Sequence, residues 1–374
     1  MNNLGVISMG IKCPIIKEGD NLVDIVFKSV LDATKSGVLM EDSRALGKEV
    51  NTYNIKDGDI IGITESIVAR SAGLYVTLDE ITDDIKKKLN NPKTIVVIEP
   101  IYSRNRFSMI LKAIARAASE KVIIFMPDYD EVGNPNGVNM FTGVNMIDYY
   151  TKLVEQEGKT CVIHKQSFTA AEQYIYGSYY PFIYCWLHDY DKYQGTYLTL
   201  ADICNDKNPD FGLLGTNKAT EEKLKLFPTK ELATNICEEI KEKIYKETGK
   251  NVYVCVYGDG AFKDPVGGIW EFADPVTMPG YSDADLFEST PNEIKIKAFA
   301  DDQYKELNGK ALDNAIKKEI KNSNKSLVGN MASQGTTPRL YRDLIASLMD
   351  LTSGSGSKGT PVILIQNYFN TYAD

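Results

Sequence analysis

The chain has 374 residues, of which 43% are apolar and 25% are charged, proportions typical of a soluble globular protein. This length predicts two domains. The formal net charge of −9 argues against a nucleic acid partner, because binding to a phosphate backbone requires a basic surface. It does not argue against a nucleotide, which a few local cations can hold.

No apolar run reaches the roughly 20 residues of a membrane helix, and the N-terminus shows no basic leader. We therefore expect a cytoplasmic protein with no membrane partner. The six cysteines are scattered without a C-x-x-C pair, which favours reduced thiols over a zinc site or disulfides. The histidines are His164 and His188, and we interpret both as structural, with His164 in the core or at a strand end.

In the N-terminal half, strands alternate with helices. Apolar, β-branched runs predict strands at residues 4–9, 60–63, 94–98 and 122–126. Helices are predicted from residue 22, with Asp20 or Asn21 as the cap, and over residues 107–118. The alternation indicates an α/β layered domain.

The rest of the chain is less regular. Residues 151–197 are rich in aromatic side chains and give no clear assignment, whereas helices are predicted at 229–247, 312–320 and 339–351. Strands are predicted at 252–256 and 361–366. A Gly/Ser-rich run, which is a plain loop or a phosphate cradle, separates the last helix from the second of these strands. We predict an α/β to α+β fold of mixed sheets with flanking helices. Its two intertwined subdomains would span 1–165 and 166–374.

Two arginines and a helix start follow the third predicted strand. Arg104 and Arg106 lie in a Ser-Arg-Asn-Arg sequence that opens the helix. Helix N-termini attract anions, and a guanidinium binds phosphate or carboxylate through two parallel hydrogen bonds. The sequence predicts either an anion site or a capped helix with two surface arginines.

Three carboxylates follow the next strand, at Asp128, Asp130 and Glu131. Such an oxygen-rich set suits Mg²⁺ or Mn²⁺, the ions that accompany nucleotide phosphates. The alternative is a solvated acidic turn.

A third charged strand end is the Gly-Asp-Gly sequence centred on Asp259. The flanking glycines leave the backbone bare, so a metal with its phosphate oxygens can approach, and Lys263 can reach the same charge. The alternative is a tight turn capped by the aspartate. A carboxylate, a cation and a glycine-rich backbone suit phosphoryl transfer, which depends on positioning and charge neutralisation.

Several segments are similar to one known family. Gly58-Asp59-Ile60-Ile61, residues 67–73, residues 10–14 and residues 19–22 resemble the N-terminal signature of the coenzyme F420-0:L-glutamate ligases, which are GTP-dependent γ-glutamyl ligases. Residues 212–217 and 226–228 resemble that family's Gly-Ile-Asp-x-Ser-Asn and Leu-Leu-Pro motifs. Residues 259–263 fall where the family has Asp-Thr-x-Gly-Arg, and residues 359–365 resemble its closing strand.

The resemblance implies a nucleotide site and a metal site. Ser66, Arg70, Thr216 and Asn217 would contact the guanine nucleotide, and Asp259 would bind one of two divalent metals. In the family, GTP activates a carboxylate as an acyl phosphate, which the amine of glutamate attacks. The chain departs from this pattern where Leu214 replaces a metal-binding Asp, Gly260 replaces Thr, and Ser355 replaces a metal-binding Gln. Asp128, Asp130 and Glu131 are the candidates to compensate.

These observations predict a ligase that uses GTP or ATP with Mg²⁺ or Mn²⁺. It would join L-glutamate, or a similar amino acid, to a carboxylate-bearing small molecule, and would act as a homodimer. In this interpretation Asp259, Lys263, Arg104 and Arg106 are catalytic, and the acceptor is an F420 precursor or a folate polyglutamate. The competing hypothesis is a non-catalytic nucleotide or metabolite binder that has lost its metal ligands, for which Leu214 is the supporting feature.

Overall fold

The structure, a computed structural model, describes residues 5–35, 54–98, 105–126, 128, 137–138, 142–165, 180–184, 196–258, 262–263, 270–271, 277–290, 296–322, 340–354 and 356–373. The strands are Ile7–Ile11 (β1), Ile60–Thr64 (β2), Tyr75–Thr77 (β3), Thr94–Ile98 (β4), Lys121–Phe125 (β5), Thr160–His164 (β6), Phe182–Tyr184 (β7), Tyr197–Thr199 (β8), Asn217–Thr220 (β9), Lys223–Lys225 (β10), Tyr253–Tyr257 (β11), Phe262–Lys263 (β12), Trp270–Glu271 (β13), Gly280–Tyr281 (β14) and Val362–Gln366 (β15).

The α-helices are Leu22–Lys35 (α1), Glu65–Ser71 (α2), Leu78–Lys88 (α3), Asn105–Ala117 (α4), Met146–Gln156 (α5), Lys230–Thr248 (α6), Ala284–Phe287 (α7), Ile296–Ala298 (α8), Gly309–Asn322 (α9) and Tyr341–Ser353 (α10). A π-helical turn follows α8 at Phe299–Gln303, and a 3₁₀ turn follows α10 at Gly356–Lys358. None of the described helices is long and apolar enough to cross a membrane.

The first sheet has the strand order β1-β15-β2-β11-β14 and is mixed. β2 and β11 are parallel, while the other neighbours are antiparallel. Successive side chains of β2 point to opposite faces, so Ile61 and Ile63 pack in one core with α1 and α6. Ile60 packs in another core, against α10. Both faces of this sheet are therefore covered.

The second sheet, of order β6-β5-β4-β7-β8, is parallel throughout. Parallel sheets are buried on both faces and read as continuous apolar runs, as in β4, whose five residues are all buried. Helices α3, α4 and α5 share a core with this sheet. His164 ends β6 and its ring stacks on Phe125 at 4.9 Å, as the structural interpretation predicts.

A small antiparallel sheet of order β3-β10-β9 lies next to the start of α2, with Val76 and Leu224 in the same core as α3 and α4. It positions Asn217, at the start of β9, directly across from Lys225, at the end of β10. This pairing brings two polar residues to the end of β2, where the candidate site lies.

The predicted class, mixed sheets with flanking helices, is confirmed in its α/β character. The division into two domains at residue 165 stays a prediction. Both five-stranded sheets contain strands from before and after that position. Elements that the sequence left unassigned include α5, in a stretch without a clear helical signal, and β6 to β8 in the aromatic region. Asn21 provides the predicted cap of α1, since its Oδ1 accepts from the Asp24 amide at 3.0 Å.

Candidate functional site

A cavity of about 500 Å³ opens at the carboxyl end of the parallel strand pair β2 and β11. These ends meet at one edge because Thr64 and Tyr257 are in register. The walls come from the start of α2, the β9–β10 hairpin, the end of α10 and the segments before α1 and β15. Its size is that of a typical small-molecule site.

The centre of this site is a buried ion pair. Lys225 Nζ lies 3.2 Å from Glu65 Oε1 and 2.6 Å from Ser66 Oγ. Glu65 is 3% exposed and Lys225 is 8% exposed, yet both line the cavity. Charged residues are seldom so buried unless they are paired, and a buried charge in a cleft marks a candidate functional site.

Asn217 joins the same cluster from the neighbouring strand. Its Nδ2 donates to Glu65 Oε1 at 3.1 Å. The antiparallel register of β9 and β10 fixes this approach, because Asn217 and Lys225 are cross-strand partners. One carboxylate oxygen thus accepts from both an amide and an ammonium.

The cavity wall also carries Tyr257, Asp350 and Ser353. Burial raises the pKa of Tyr257, and the nearby carboxylate of Asp350 raises that pKa further. The hydroxyl therefore keeps its proton at neutral pH and is able to donate a hydrogen bond. Cys13 also lines the cavity, and burial raises its thiol pKa, which argues against a thiolate nucleophile.

The balance of charge in the cavity wall favours an anion. Its basic side chains are Arg70, Lys218 and Lys225, and its acidic ones are Glu65 and Asp350. Arg70 is exposed, so its guanidinium is open to a ligand that enters from solvent. The ammonium of Lys225 lies deeper, next to Glu65.

The structure brings together three of the four residues predicted to contact a nucleotide. Ser66, Arg70 and Asn217 all line the cavity, although Asn217 follows the other two by about 150 positions. Thr216 is fully buried, its hydroxyl donates to the Leu213 carbonyl at 2.8 Å, and it is not among the lining residues.

The predicted metal and catalytic residues are described only in part. Asp259, Asp130, Glu131, Arg104 and Ser355 lie outside the described residues, and of Lys263 and Arg106 the structure describes only the positions in β12 and α4. Asp128 is described and exposed. In the described ranges, no three His, Cys, Asp or Glu side chains lie close enough to hold a metal ion together.

Leu214 occupies an apolar environment. It is 5% exposed and belongs to the core that surrounds the second sheet, together with Phe211 and Phe227, whose rings meet edge to face at 5.4 Å. The next residue, Gly215, has a φ of +68°, and a Cβ there would lie 2.4 Å from the ring of Phe227. This turn therefore directs Leu214 into the core, where it is unsuited to bind a metal.

The sequence matches the protein family described as F420-0:Gamma-glutamyl ligase over residues 10–367. The chain belongs to that family. No match was found among the curated proteins. Membership in the F420-0:gamma-glutamyl ligase family supports an enzyme of the ligase type that acts on small molecules such as glutamate.

The sequence analysis of this F420-0:gamma-glutamyl ligase family member did not predict two central residues of the site, Glu65 and Lys225. Glu65 is adjacent to the predicted Ser66, so its position was available as a signal. Lys225 gave none, because it lies in a short, charged hairpin sequence that is typical of a solvated turn. Only the pairing of β9 with β10 shows that its side chain faces Glu65.

Proposed function

We propose that the protein is a nucleotide- and divalent-metal-dependent ligase that joins L-glutamate, or a similar amino acid, to a carboxylate-bearing small molecule. GTP or ATP would transfer its terminal phosphoryl group to the acceptor carboxylate. The amine of glutamate would then attack the acyl carbon and release phosphate, leaving an amide. The acceptor would be an F420 precursor, and folate polyglutamylation by the same chemistry is the alternative.

The observation that carries this proposal is the convergence of Ser66, Arg70 and Asn217 on one cavity. Each residue was predicted to contact the nucleotide, and they come from α2 and β9, which are far apart along the chain. In this proposal the guanidinium of Arg70 binds phosphate oxygens, and the hydroxyl of Ser66 donates to them. Tyr257 supplies a further neutral donor to the bound substrate.

Of the ligands in this proposal, the divalent metal has the least support from the described residues. Glu65 and Asp350 are the carboxylates of the cavity wall, and no third His, Cys, Asp or Glu completes a set with them in the described part of the chain. Those residues alone do not fit a metal centre, so we assign no step to a metal. Asp259, which follows β11 in the sequence, remains the proposed ligand.

The structure also supports a second candidate function, a nucleotide or metabolite binder without catalysis. Leu214 favours it, because this residue packs in the core where the family pattern has a metal-binding aspartate. A binder needs the cations of the cavity wall but no metal-assisted phosphoryl transfer. The two functions differ in turnover, not in nucleotide affinity.

Turnover with candidate acceptors decides between these functions. We expect release of phosphate from GTP or ATP only when Mg²⁺ or Mn²⁺, L-glutamate and the right acceptor are all present, with an amide product detected by mass spectrometry. Saturable nucleotide binding with no turnover for any acceptor would leave the binder as the function.

Variants test the assigned residues. Arg70→Met should raise the KM for the nucleotide about tenfold to a hundredfold, because a charged hydrogen bond contributes about 1.5–3 kcal/mol. The matched control is Arg342→Met, which removes an arginine of α10 that does not line the cavity. Asp259→Asn should abolish turnover in a folded protein, and retained activity would remove Asp259 from the mechanism.

A further inference from the structure

Lys225 is a buried cation whose hydrogen-bonding capacity is met only in part by the described residues. An ammonium group has three N–H donors. Among the described residues, two acceptors lie within hydrogen-bonding distance of Lys225 Nζ, namely Glu65 Oε1 and Ser66 Oγ. One N–H is therefore available to a molecule in the cavity that Lys225 lines.

Ser66 adds a second donor beside it. Its oxygen accepts from the ammonium at 2.6 Å, so its own hydroxyl proton is available to another acceptor. An N–H and an O–H on adjacent groups form the donor pair that binds one oxyanion. The two donors come from different elements, α2 and β10, and both face the cavity.

The carboxylate of Glu65 does not prevent Lys225 and Ser66 from binding an oxyanion. Glu65 Oε1 is shared between Lys225 and the amide of Asn217, at 3.2 and 3.1 Å. Replacing a buried ion pair by apolar residues is often neutral or stabilising, so such a pair is a poor device for stability alone. Glu65 and Asn217 instead fix the position of the ammonium at the cavity wall.

We propose that the ammonium of Lys225, together with the hydroxyl of Ser66, binds a phosphate group of the nucleotide. The inference rests on the proposed function, because Ser66 and Arg70 are assigned to the same ligand. It adds a fixed positive charge inside the protein, at the wall of the cavity that Ser66 and Arg70 also line. Lys225 thereby supplies part of the charge that binds the phosphates.

Calorimetric titration tests this assignment without any turnover. Wild-type protein and the variant Lys225→Met are titrated with GTP, ATP, tripolyphosphate and guanosine, both in Mg²⁺ and in EDTA. We expect the variant to bind the preferred nucleotide and tripolyphosphate about tenfold to a hundredfold more weakly. The loss should be larger in EDTA, where no metal shares the phosphate charge, and guanosine should bind unchanged.

The control and a second variant keep the test independent of folding. Lys223→Met removes a lysine two positions earlier on β10 that lies over the ring of Tyr75 and does not line the cavity, so it should bind like the wild type. The double variant Glu65→Gln/Lys225→Met removes both buried charges and keeps an acceptor for Asn217. Circular dichroism and thermal melting establish that each variant is folded.

The outcomes separate the two proposals. If folded Lys225 variants bind nucleotide and tripolyphosphate as tightly as the wild type, the role of Lys225 is refuted while the proposed ligase stands. An equal loss of guanosine affinity would also refute it, because the effect would then not concern phosphate. If the wild type binds neither GTP nor ATP in either buffer, the proposed function itself fails.

Discussion

Leu214→Asp restores the carboxylate that the family pattern has at this position, and we expect it to destabilise the protein. Leu214 is 5% exposed in a core that includes Phe211 and Phe227. Loss of its packing costs about 3 kcal/mol, by comparison with truncations of buried leucines. Burying the new carboxyl group without a hydrogen-bonding partner adds about 2 kcal/mol to this loss of stability.

The total of about 5 kcal/mol is a large part of the roughly 5–15 kcal/mol that stabilises a typical domain. The assay is urea unfolding, followed by circular dichroism, with and without Mn²⁺. Leu214→Met is the matched control and should lose less than about 1.5 kcal/mol, because it conserves volume and polarity. Leu214→Asn separates the effect of polarity from that of charge.

A stabilising response to metal would refute this reasoning. A ligand that binds only the folded state at a hundredfold excess over its Kd stabilises by about 2.7 kcal/mol. If Mn²⁺ raised the stability of Leu214→Asp by such an amount, but not that of Leu214→Asn, position 214 would be a metal position vacated in this chain. A near-neutral Leu214→Asp without metal would show that the turn does not hold this side chain in the core.

Two further predictions concern packing and charge. Gly62→Ala should lower the free energy of unfolding in urea by about 2 kcal/mol, because a Cβ there would lie 2.1 Å from Met349 Sδ. Adding Met349→Ala should recover part of that loss. An unchanged stability of Gly62→Ala would contradict this steric explanation. Glu80 pairs with Lys207, and this contact, together with hydrogen bonds from Thr77, lowers the carboxyl pKa to about 2. A lowered pKa stabilises the fold above the unfolded value near 4.3, and this gain disappears as the pH falls toward 2. Because the side chain is 44% exposed, Glu80→Gln should cost only about 1 kcal/mol at pH 7, with the deficit shrinking in thermal melts at pH 3; a deficit independent of pH would refute the ion pair as its cause.

Local patterns predicted the elements with the clearest apolar periodicity and missed several short ones. The helix predicted at 229–247 is α6, because an amphipathic repeat follows Thr229, whose Oγ1 accepts from the Leu232 amide at 3.3 Å. The strand predicted at 94–98 is β4, since a continuous apolar run suits a strand buried on both faces. In contrast, α3 was not predicted, although Thr77 and Glu80 form a capping box at its start.

The site was predictable only as separate pieces. Ser66, Arg70 and Asn217 follow from the family motifs, but their meeting in one cavity depends on the pairing of β10 with β3, across some 150 residues, and with β9. The pair Glu65–Lys225 is a long-range contact between two residue types that are usually solvated. No periodicity encodes such a contact, and it emerges only from the register of β10 with β9.

The first sheet also constrains the order in which the chain can fold. Among the described strands β1 pairs only with β15, and β15 is also the neighbour that separates β1 from β2. During synthesis, β1 and the edge of β2 that β15 covers therefore lack this partner until residues 362–366 have been made. Closure of such long loops is slow, and unpaired edges expose the nascent chain to aggregation. The cavity at the end of β2 depends on this late pairing too, because the segment just before β15 forms part of its wall.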